Sequence, residues 1–372
     1  MLINSVRAAV PCPEPRTGQS SPRLWRPKRV LVTPAALEWE HGRAILERAA
    51  ALGSEIVELK NNRLTGLSGE NSRQAYVNAK TTLAVVVAPP SKRRLQPIPP
   101  SADWRMDLAE GCPAHCQYCY LAGSLAGPPV TRVYANLSEI LDSLTDYVGR
   151  GGVTSRSSDR AHEGTTFEAS CYTDPLGIEH LTGSLTEAIA HFGSWQAPVQ
   201  LRFTTKYDAV QPLLNLPHQR HTRIRFSVNA QPVARFEGGT APVAARLRAM
   251  RQVALAGYRV GLTIAPIMPV EGWRDAYSAL LQEAAQQIAD VRDLDLTVEL
   301  ITHRFTPGSK SVLTGWYPGS DLDMDEATRS RKTTKFNTVK YVYTPDVMKE
   351  MRAFFGEAVS EYLPAAQVLY WT

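Results

Sequence analysis

The chain has 372 residues, of which 44% are hydrophobic, and this is enough for one large α/β domain or for two domains with a sizeable core. Its formal net charge of +5 is a mild excess that favours approach to nucleic acid without requiring such a partner. No stretch approaches the roughly 18 consecutive apolar residues of a membrane helix, which excludes a chain dominated by membrane spans.

The start of the chain shows no sign of a secretory signal. Residues 1–24 lack the apolar core of roughly 7 to 15 residues that precedes a small-residue cleavage site, and we expect a flexible extension there. The five cysteines are an odd number with three crowded together, which fits a metal site in a reducing compartment better than a set of disulfides. We therefore expect a cytoplasmic protein with no membrane partner.

Residues 25–100 predict a small N-terminal α/β segment. Short β-branched or apolar runs occur at 29–34, 54–59 and 81–89, and a helical pattern separates the first two. A linker rich in proline and basic residues, PPSKRRLQPIPPSADW, follows the third run.

Residues 101–306 alternate between strand and helix patterns. The candidate strands are 104–110, 165–170, 199–205, 222–228, 258–266 and 295–302. This alternation favours parallel pairing, either as an incomplete β/α barrel or as a doubly wound sheet. Residues 307–372 form a C-terminal extension, in which SRKTTKFNTVKYVY (330–343) has the pattern of a hairpin.

Unusual residues lie at the carboxyl end of nearly every one of these predicted strands. In chain order they are Cys112, Cys171, Lys206, Ser227 with Asn229, Pro266, and His303 with Arg304. Polar loops alone would explain two or three of these positions, but they explain a lone cysteine less well. Because parallel barrels place their chemistry at the carboxyl ends of the strands, we expect a site at this rim.

Three cysteines in the segment GCPAHCQYCY indicate a metal centre with an open position. The spacing Cys112-x3-Cys116-x2-Cys119 lets three thiolates bind three irons of a 4Fe-4S cluster and leaves the fourth iron for another ligand. That is the requirement for binding S-adenosylmethionine and cleaving it by one-electron reduction. With Tyr118 before the third cysteine, the segment resembles the radical S-adenosylmethionine (radical SAM) superfamily. A zinc site completed by His115 or His180 is the alternative.

Several further segments extend this resemblance. GCPAHCQYCYLAGS, EASCYTDPLGIEHLTGSL, TRIRFSVNAQPVARFEGGT and ELITHRFTPGSK occur in the order seen in spore photoproduct lyases. The chain resembles that family from about Arg26 to its C-terminus. The family reverses the methylene-bridged thymine dimer that UV light forms in dry spore DNA.

The resemblance implies both a fold and an activity. The fold would be an α/β incomplete (β/α)6 barrel of radical SAM type, with the small N-terminal lead-in and a C-terminal hairpin and helix extension. The activity would be that of an iron-sulfur, carbon-carbon lyase that repairs UV-damaged DNA through a 5′-deoxyadenosyl radical. A one-electron donor such as flavodoxin or ferredoxin would supply the electron.

The resemblance also implies roles for individual residues. Cys171 matches the cysteine that gives a hydrogen atom to the thymine radical, and Tyr118 and Tyr120 match the pair thought to restore that cysteine. The matches for cofactor binding are Thr173, Lys206, Ser227, Asn229 and the backbone near Ala265.

We expect DNA contact from Arg304 and from the basic hairpin, which includes Lys340 and Tyr341. The hairpin would wedge against a distorted duplex while its cations meet phosphates. The alternative is an exposed edge hairpin that carries protective lysines.

Three features depart from the family pattern. Tyr172-Thr173 stands where a Thr-Ser pair is expected, and the insert at 149–166 is long. The Gly-Gly-Glu of the wider superfamily is absent after the second strand, and Glu237-Gly238-Gly239 follows the fourth strand, where we do not expect it to replace that motif. These departures leave open a radical SAM enzyme that modifies RNA or a protein, and a non-catalytic, metal-stapled nucleic-acid binder is the third possibility.

Overall fold

Two sheets, one of five strands and one of eight, organise the protein. The computed structural model describes residues 22, 24–119, 122, 127, 129–333 and 338–372. Among these residues, no helix is both long enough and apolar enough to span a bilayer.

The elements are numbered in chain order. The strands are β1 (Arg29–Val32), β2 (Glu55–Glu58), β3 (Thr82–Val86), β4 (Gln96–Ile98), β5 (Ala102–Met106), β6 (Ala109–Glu110), β7 (His115–Cys116), β8 (Thr131–Tyr134), β9 (Thr165–Ala169), β10 (Val199–Thr205), β11 (Thr222–Val228), β12 (Glu237–Gly238), β13 (Arg259–Ile267), β14 (Leu296–Thr302), β15 (Ser330–Thr333), β16 (Val339–Val342) and β17 (Gln367–Trp371). The α-helices are α1 (Pro34–Leu37), α2 (Glu40–Ala51), α3 (Ser72–Lys80), α4 (Leu137–Asp142), α5 (Glu179–Thr182), α6 (Ser184–Gly193), α7 (Gln231–Ala234), α8 (Val243–Leu255), α9 (Trp273–Ile288), α10 (Pro307–Trp316) and α11 (Pro345–Tyr362).

The five-stranded sheet has the order β2-β1-β3-β8-β6 and contains the three predicted N-terminal strands. β1 pairs in parallel with both β2 and β3, and fully buried residues such as Val30, Ile45 and Leu83 form its core. β6 and β8 come from residues beyond 100, so this sheet continues past the predicted domain boundary. The division of the chain at residue 100 therefore stays a prediction.

The eight-stranded sheet has the order β17-β14-β13-β11-β10-β9-β5-β4. Its six middle strands are β5, β9, β10, β11, β13 and β14. They run parallel, as the sequence predicts, and they lie side by side in chain order. Because this order never reverses, the sheet is of the barrel type and not doubly wound. Two edge strands were not predicted: β17 pairs in parallel with β14, and β4 pairs antiparallel with β5.

Alternation along the buried strands separates the two faces of this sheet. In β11, Ile224, Phe226 and Val228 belong to the same apolar core as residues of the covering helix α8. The intervening Arg223, Arg225 and Ser227 are also buried but must face the opposite side, because successive side chains alternate in a strand. The inner face of the barrel is therefore polar.

Buried ion pairs join strands across this inner face. Nη1 of Arg225 on β11 lies 2.7 Å from Oε2 of Glu299 on β14, and its Nη2 donates to Glu168 on β9. Nη2 of Arg202 on β10 donates to Glu299 at 2.6 Å. Since β9 and β14 are not neighbours, these contacts require the sheet to curl around the central arginine.

The long insert packs at the amino ends of the barrel strands. Asp103, at the start of β5, accepts hydrogen bonds from the backbone of Val153 at 2.7 Å and from the Thr154 hydroxyl at 2.8 Å. Arg160 donates to the carbonyl of Pro100 at 2.8 Å. The insert lies at the amino end of β9, whereas Cys171 follows the carboxyl end. The insert is therefore no argument for the hypothesis that a different substrate binds at the rim.

The predicted C-terminal hairpin is present. β15 and β16 pair antiparallel, with Ser330 opposite Val342 and Thr333 opposite Val339. An isolated antiparallel bridge between Phe305 and Tyr341 fastens this hairpin beside the carboxyl end of β14.

Replacing Asp103 tests how much the insert contributes to stability. Burial alone would raise the pKa of Asp103, but hydrogen bonds from Ser155, Val153 and Thr154 outweigh it and lower the pKa below its ordinary value of 3.8. At pH 7 we expect Asp103→Asn to lose about 2 kcal/mol of unfolding free energy, because the amide leaves buried donors poorly paired.

The pH dependence supplies the check. A lowered carboxyl pKa stabilises the fold above the ordinary value and ceases to do so as the pH falls through the folded-state pKa. The difference between wild type and Asp103→Asn in urea unfolding should therefore shrink below about pH 4. The exposed Asp146→Asn is the matched control, and a difference that is constant with pH would contradict this account.

Candidate active site

A cavity of about 390 Å³ opens at the carboxyl ends of the barrel strands. It brings together most of the residues that the sequence singled out. Those that line it are Cys112, Cys116, Tyr118, Cys119, Cys171, Thr173, Lys206, Ser227, Ala265, Pro266, His303 and Arg304. Tyr120 lies outside the described residues, so its predicted role has no structural counterpart here.

The three-cysteine loop follows β6 and is held by β12. Cys116 on β7 lies opposite Glu237, and the amide of Gln117 donates to the carbonyl of Phe236 at 2.9 Å. Gly111 begins the loop with a φ of 73°, and a Cβ there would lie 2.1 Å from the carbonyl oxygen of Val130. Only glycine fits this turn, which directs the cysteines into the cavity.

The donor set fits an iron-sulfur cluster. The three loop cysteines carry free thiols, and burial raises the pKa of Cys112 to about 11 and also raises that of Cys116. Thiolates at these positions would require metal coordination at neutral pH, which an iron-sulfur cluster would supply.

The geometry does not favour the zinc alternative. Across the described part of the chain, no three His, Cys, Asp or Glu side chains are grouped as a single ion would require. Nδ1 of His115 lies 2.9 Å from the Tyr76 hydroxyl, and Nε2 of His180 lies 2.7 Å from the carbonyl oxygen of Trp25. Each histidine therefore uses one ring nitrogen in a hydrogen bond, and neither belongs to such a group.

Lys206 contacts two other predicted cofactor positions. Its ammonium donates to Ser227 Oγ at 2.8 Å and to the Ala265 carbonyl at 3.3 Å. It also lies 2.7 Å from Glu237 Oε1. One cationic group is thus held at the cavity wall by neighbours from three elements.

Glu237 contacts the cluster loop, a position that the sequence analysis did not assign to it. It follows the fourth barrel strand, yet β12 carries it to the cluster loop, where its carboxylate accepts from Tyr118. Arg246 pairs with its other oxygen at 2.6 Å. Burial would raise the pKa of Glu237, but Lys206 and Arg246 outweigh burial and lower it.

Two residues near the rim, Asn229 and Asp174, form hydrogen bonds with neighbouring parts of the fold. Asn229 donates to the Pro266 carbonyl at 2.7 Å and accepts from the Tyr277 hydroxyl at 2.8 Å, and it is not among the described residues that line the cavity. Its predicted contact with the cofactor stays a prediction. Asp174, which was not predicted, lines the cavity and accepts from the Lys206 amide at 2.6 Å.

Cys171 stands at the carboxyl end of β9, across the cavity from the cluster loop. Burial raises the pKa of its thiol well above the ordinary value, and the nearby Glu168 and Asp107 raise it further. The side chain is therefore a protonated thiol at neutral pH. An S–H group at this position could give a hydrogen atom to a radical formed in the cavity.

The Tyr172 ring does not obstruct this arrangement. Its hydroxyl accepts from Arg105 Nη1 at 2.9 Å, and the guanidinium carbon lies 4.7 Å from the ring centroid. Tyr172 is absent from the described lining of the cavity, whereas Thr173 is part of it. The expected hydroxyl is therefore kept at the wall.

A basic patch of Arg304, Lys332 and Lys340 lies beside the cavity. Burial lowers the pKa of Lys340, and the positive charges of Arg304 and Lys332 lower it further. Tyr341 packs on Phe305 with ring centroids 5.4 Å apart. Cations held this close together favour an anionic ligand such as a phosphate backbone.

Comparisons with known proteins agree on one family. The family model described as spore photoproduct lyase matches residues 25–372. A spore photoproduct lyase from a Geobacillus species is 41% identical over 348 residues, covering 93% of this chain and 98% of that protein. The Bacillus subtilis spore photoproduct lyase is 38% identical over 349 residues, with the same coverage.

Solved structures give the same result. A mutant spore photoproduct lyase with bound AdoMet and dinucleoside spore photoproduct superposes with a TM-score of 0.86 and 39% identity. This match covers 94% of the present chain and 100% of that one. A complex of spore photoproduct lyase with the dinucleoside alone matches equally well.

The raised pKa of Cys171 predicts its reactivity. Because the thiolate is the form that reacts, alkylation of native protein by iodoacetamide at pH 8 should be at least about tenfold slower than that of an unfolded cysteine. The rate should still rise above pH 9. Peptide mapping by mass spectrometry measures it, with the urea-unfolded chain as control, and a plateau below pH 9 would argue against the raised pKa.

Proposed function

The chain belongs to the spore photoproduct lyase family, and we propose that it returns the methylene-bridged thymine dimer of UV-damaged DNA to two thymines. It is a radical SAM lyase of DNA repair by family. The observation that carries the proposal is the placement of a protonated Cys171 and a three-cysteine loop on one cavity.

The loop and the cavity wall would hold the cofactors. Cys112, Cys116 and Cys119 would bind the 4Fe-4S cluster, which with S-adenosylmethionine supplies a 5′-deoxyadenosyl radical when both are bound. Lys206, oriented by its ion pair with Glu237, is suited to the methionyl carboxylate. Its 3.3 Å bond to the Ala265 carbonyl is the weakest of its three contacts, and the carboxylate would replace it.

Cys171 would complete the repair. Once the methylene bridge has broken, the S–H bond breaks and a C–H bond forms on the remaining thymine radical, which leaves a sulfur-centred radical. Hydrogen-atom transfer from the pair Tyr118 and Tyr120 would then restore the thiol, and the tyrosyl radical left behind would recover a hydrogen atom from 5′-deoxyadenosine, so that the cofactor is regenerated. Tyr118 is positioned at the cluster loop by the hydrogen bond that its hydroxyl donates to Glu237.

The basic patch and the hairpin would receive the DNA. Arg304 lines the cavity, while the Phe305–Tyr341 bridge holds the hairpin beside it. A lesion that is already unstacked costs less to extrude than an intact base pair, so selectivity does not require sequence readout. A flavodoxin or ferredoxin as electron donor and action in the cytoplasm are further parts of this proposal.

An anaerobic repair assay tests the function. Protein reconstituted with iron and sulfide is given a strong reductant, S-adenosylmethionine and dinucleotide spore photoproduct, and released thymidylyl-thymidine is quantified by liquid chromatography. Repair is the expected result. Deoxyadenosine formation without repair would instead indicate another substrate such as RNA or a protein, and a colourless protein without cofactor cleavage would indicate a metal-stapled binder.

Replacing Cys171 separates cleavage of S-adenosylmethionine from the final hydrogen transfer to the thymine radical. In Cys171→Ala we expect the absorbance of the cluster and the rate of deoxyadenosine formation to stay within about twofold of wild type. The thymine radical, which has lost its hydrogen donor, should end in other adducts visible by mass spectrometry. Clean restoration of thymine by this variant would remove Cys171 from the mechanism.

Replacing Arg304 separates DNA binding from cofactor binding. We expect Arg304→Ala to weaken binding of a lesion-containing oligonucleotide about tenfold, because a charged contact to phosphate is lost. Affinity for S-adenosylmethionine, measured by calorimetry, should change far less. Arg352→Ala, at an exposed position of α11, is the matched control, and equal losses for both ligands would rule out a specific DNA role.

A further inference from the structure

Lys80 is a buried lysine that reaches the cluster loop from the N-terminal sheet. It is the last residue of α3, and its side chain is only 5% exposed. Its ammonium donates to the carbonyl of Cys112 at 2.6 Å and to that of Ala114 at 2.5 Å. The charge is therefore fixed against the first turn of the three-cysteine loop.

This ammonium lacks a counter-charge within the described ranges of the chain. Its two hydrogen-bond acceptors are neutral carbonyls, and no described carboxylate lies within ion-pair distance of it. The ring of Tyr76, with its centroid 5.8 Å away, is a further neutral neighbour. Burial of a charge costs far more free energy than burial of a neutral group unless an opposite charge compensates.

The three cysteines lie beside Lys80 and could supply the missing negative charge. A small cavity on the outer side of the loop is lined by Lys80 together with Cys112, Cys116 and Cys119, and by Trp316 and Tyr317. Three thiolates here would place negative charge beside the ammonium.

We propose that Lys80 is the counter-charge of the iron-sulfur cluster and makes the cluster easier to reduce. Reduction adds one negative charge to a site that already holds three thiolates, and a fixed neighbouring cation stabilises the more negative state. Lys80 is thus a positioning residue that acts through the cluster. The inference rests on the proposed function, because it requires the cluster.

Three substitutions separate charge from shape. Lys80→Gln keeps a hydrogen-bond donor for the two carbonyls but removes the charge, and Lys80→Met removes both. Lys80→Arg keeps the charge. Lys349→Gln, at an exposed position of α11, is the control for a change in overall net charge.

The readout is the midpoint potential of the cluster in the reconstituted full chain, followed by absorbance and electron paramagnetic resonance. Neither S-adenosylmethionine nor DNA is present, so the result does not depend on which substrate is repaired. In Lys80→Gln and Lys80→Met the ratio of reduced to oxidised cluster at a fixed potential should fall about tenfold, which is 59 mV for one electron. Lys80→Arg and Lys349→Gln should stay within about twofold of wild type.

The other possible outcomes of these substitutions also test the proposal. A cluster that assembles with Arg but not with Gln or Met supports the need for the charge. Wild-type potential in Lys80→Gln would overturn the proposal and reduce Lys80 to a hydrogen-bond donor for the loop. Failure of all three variants, including Lys80→Arg, to hold a cluster would also overturn it, because shape and not charge would then be required.

Discussion

A network of buried charges inside the barrel sets the shape on which the site depends. Arg225 reaches Glu168 on β9 and Glu299 on β14, and Arg202 joins the latter from β10. Since buried charges are tolerated only when they are paired and hydrogen-bonded, the strands must curl until these groups meet. The curl brings Cys171, after β9, and Arg304, after β14, to the same cavity.

Glu237 connects the barrel to the cluster loop. Its carboxylate pairs with Lys206 after β10 and with Arg246 on α8, and it also accepts from Tyr118 inside the loop. Gly238 allows β12 to pack closely, because a Cβ there would lie 3.1 Å from the Cβ of His115. Glu237 and β12 therefore help to set the position of the three cysteines relative to the barrel.

The sequence predicts those parts of the fold that have local signatures. The six parallel strands are buried apolar runs, and the three cysteines form one spaced motif, so both can be found without tertiary information. β4 contains Pro97, which disfavours a strand, and β17 pairs with β14 some 70 residues away in the chain, so its place in the sheet cannot be seen from local sequence. Glu237 meets Cys116 across more than 100 residues of chain, and only the pairing of β12 with β7 reveals it.

The cavity holds two kinds of cysteine that are distinguished by the charges around them. Burial raises the thiol pKa of Cys112, Cys116 and Cys171 alike. After burial, the largest effect at Cys112 comes from Lys80 and at Cys116 from Lys206, both cations that favour the thiolate. At Cys171 it comes from the carboxylate Glu168, which favours the thiol. The proposed metal-binding thiolates and the proposed hydrogen-donating thiol could thus coexist in one cavity, because Lys80 and Lys206 act on the former and Glu168 acts on the latter.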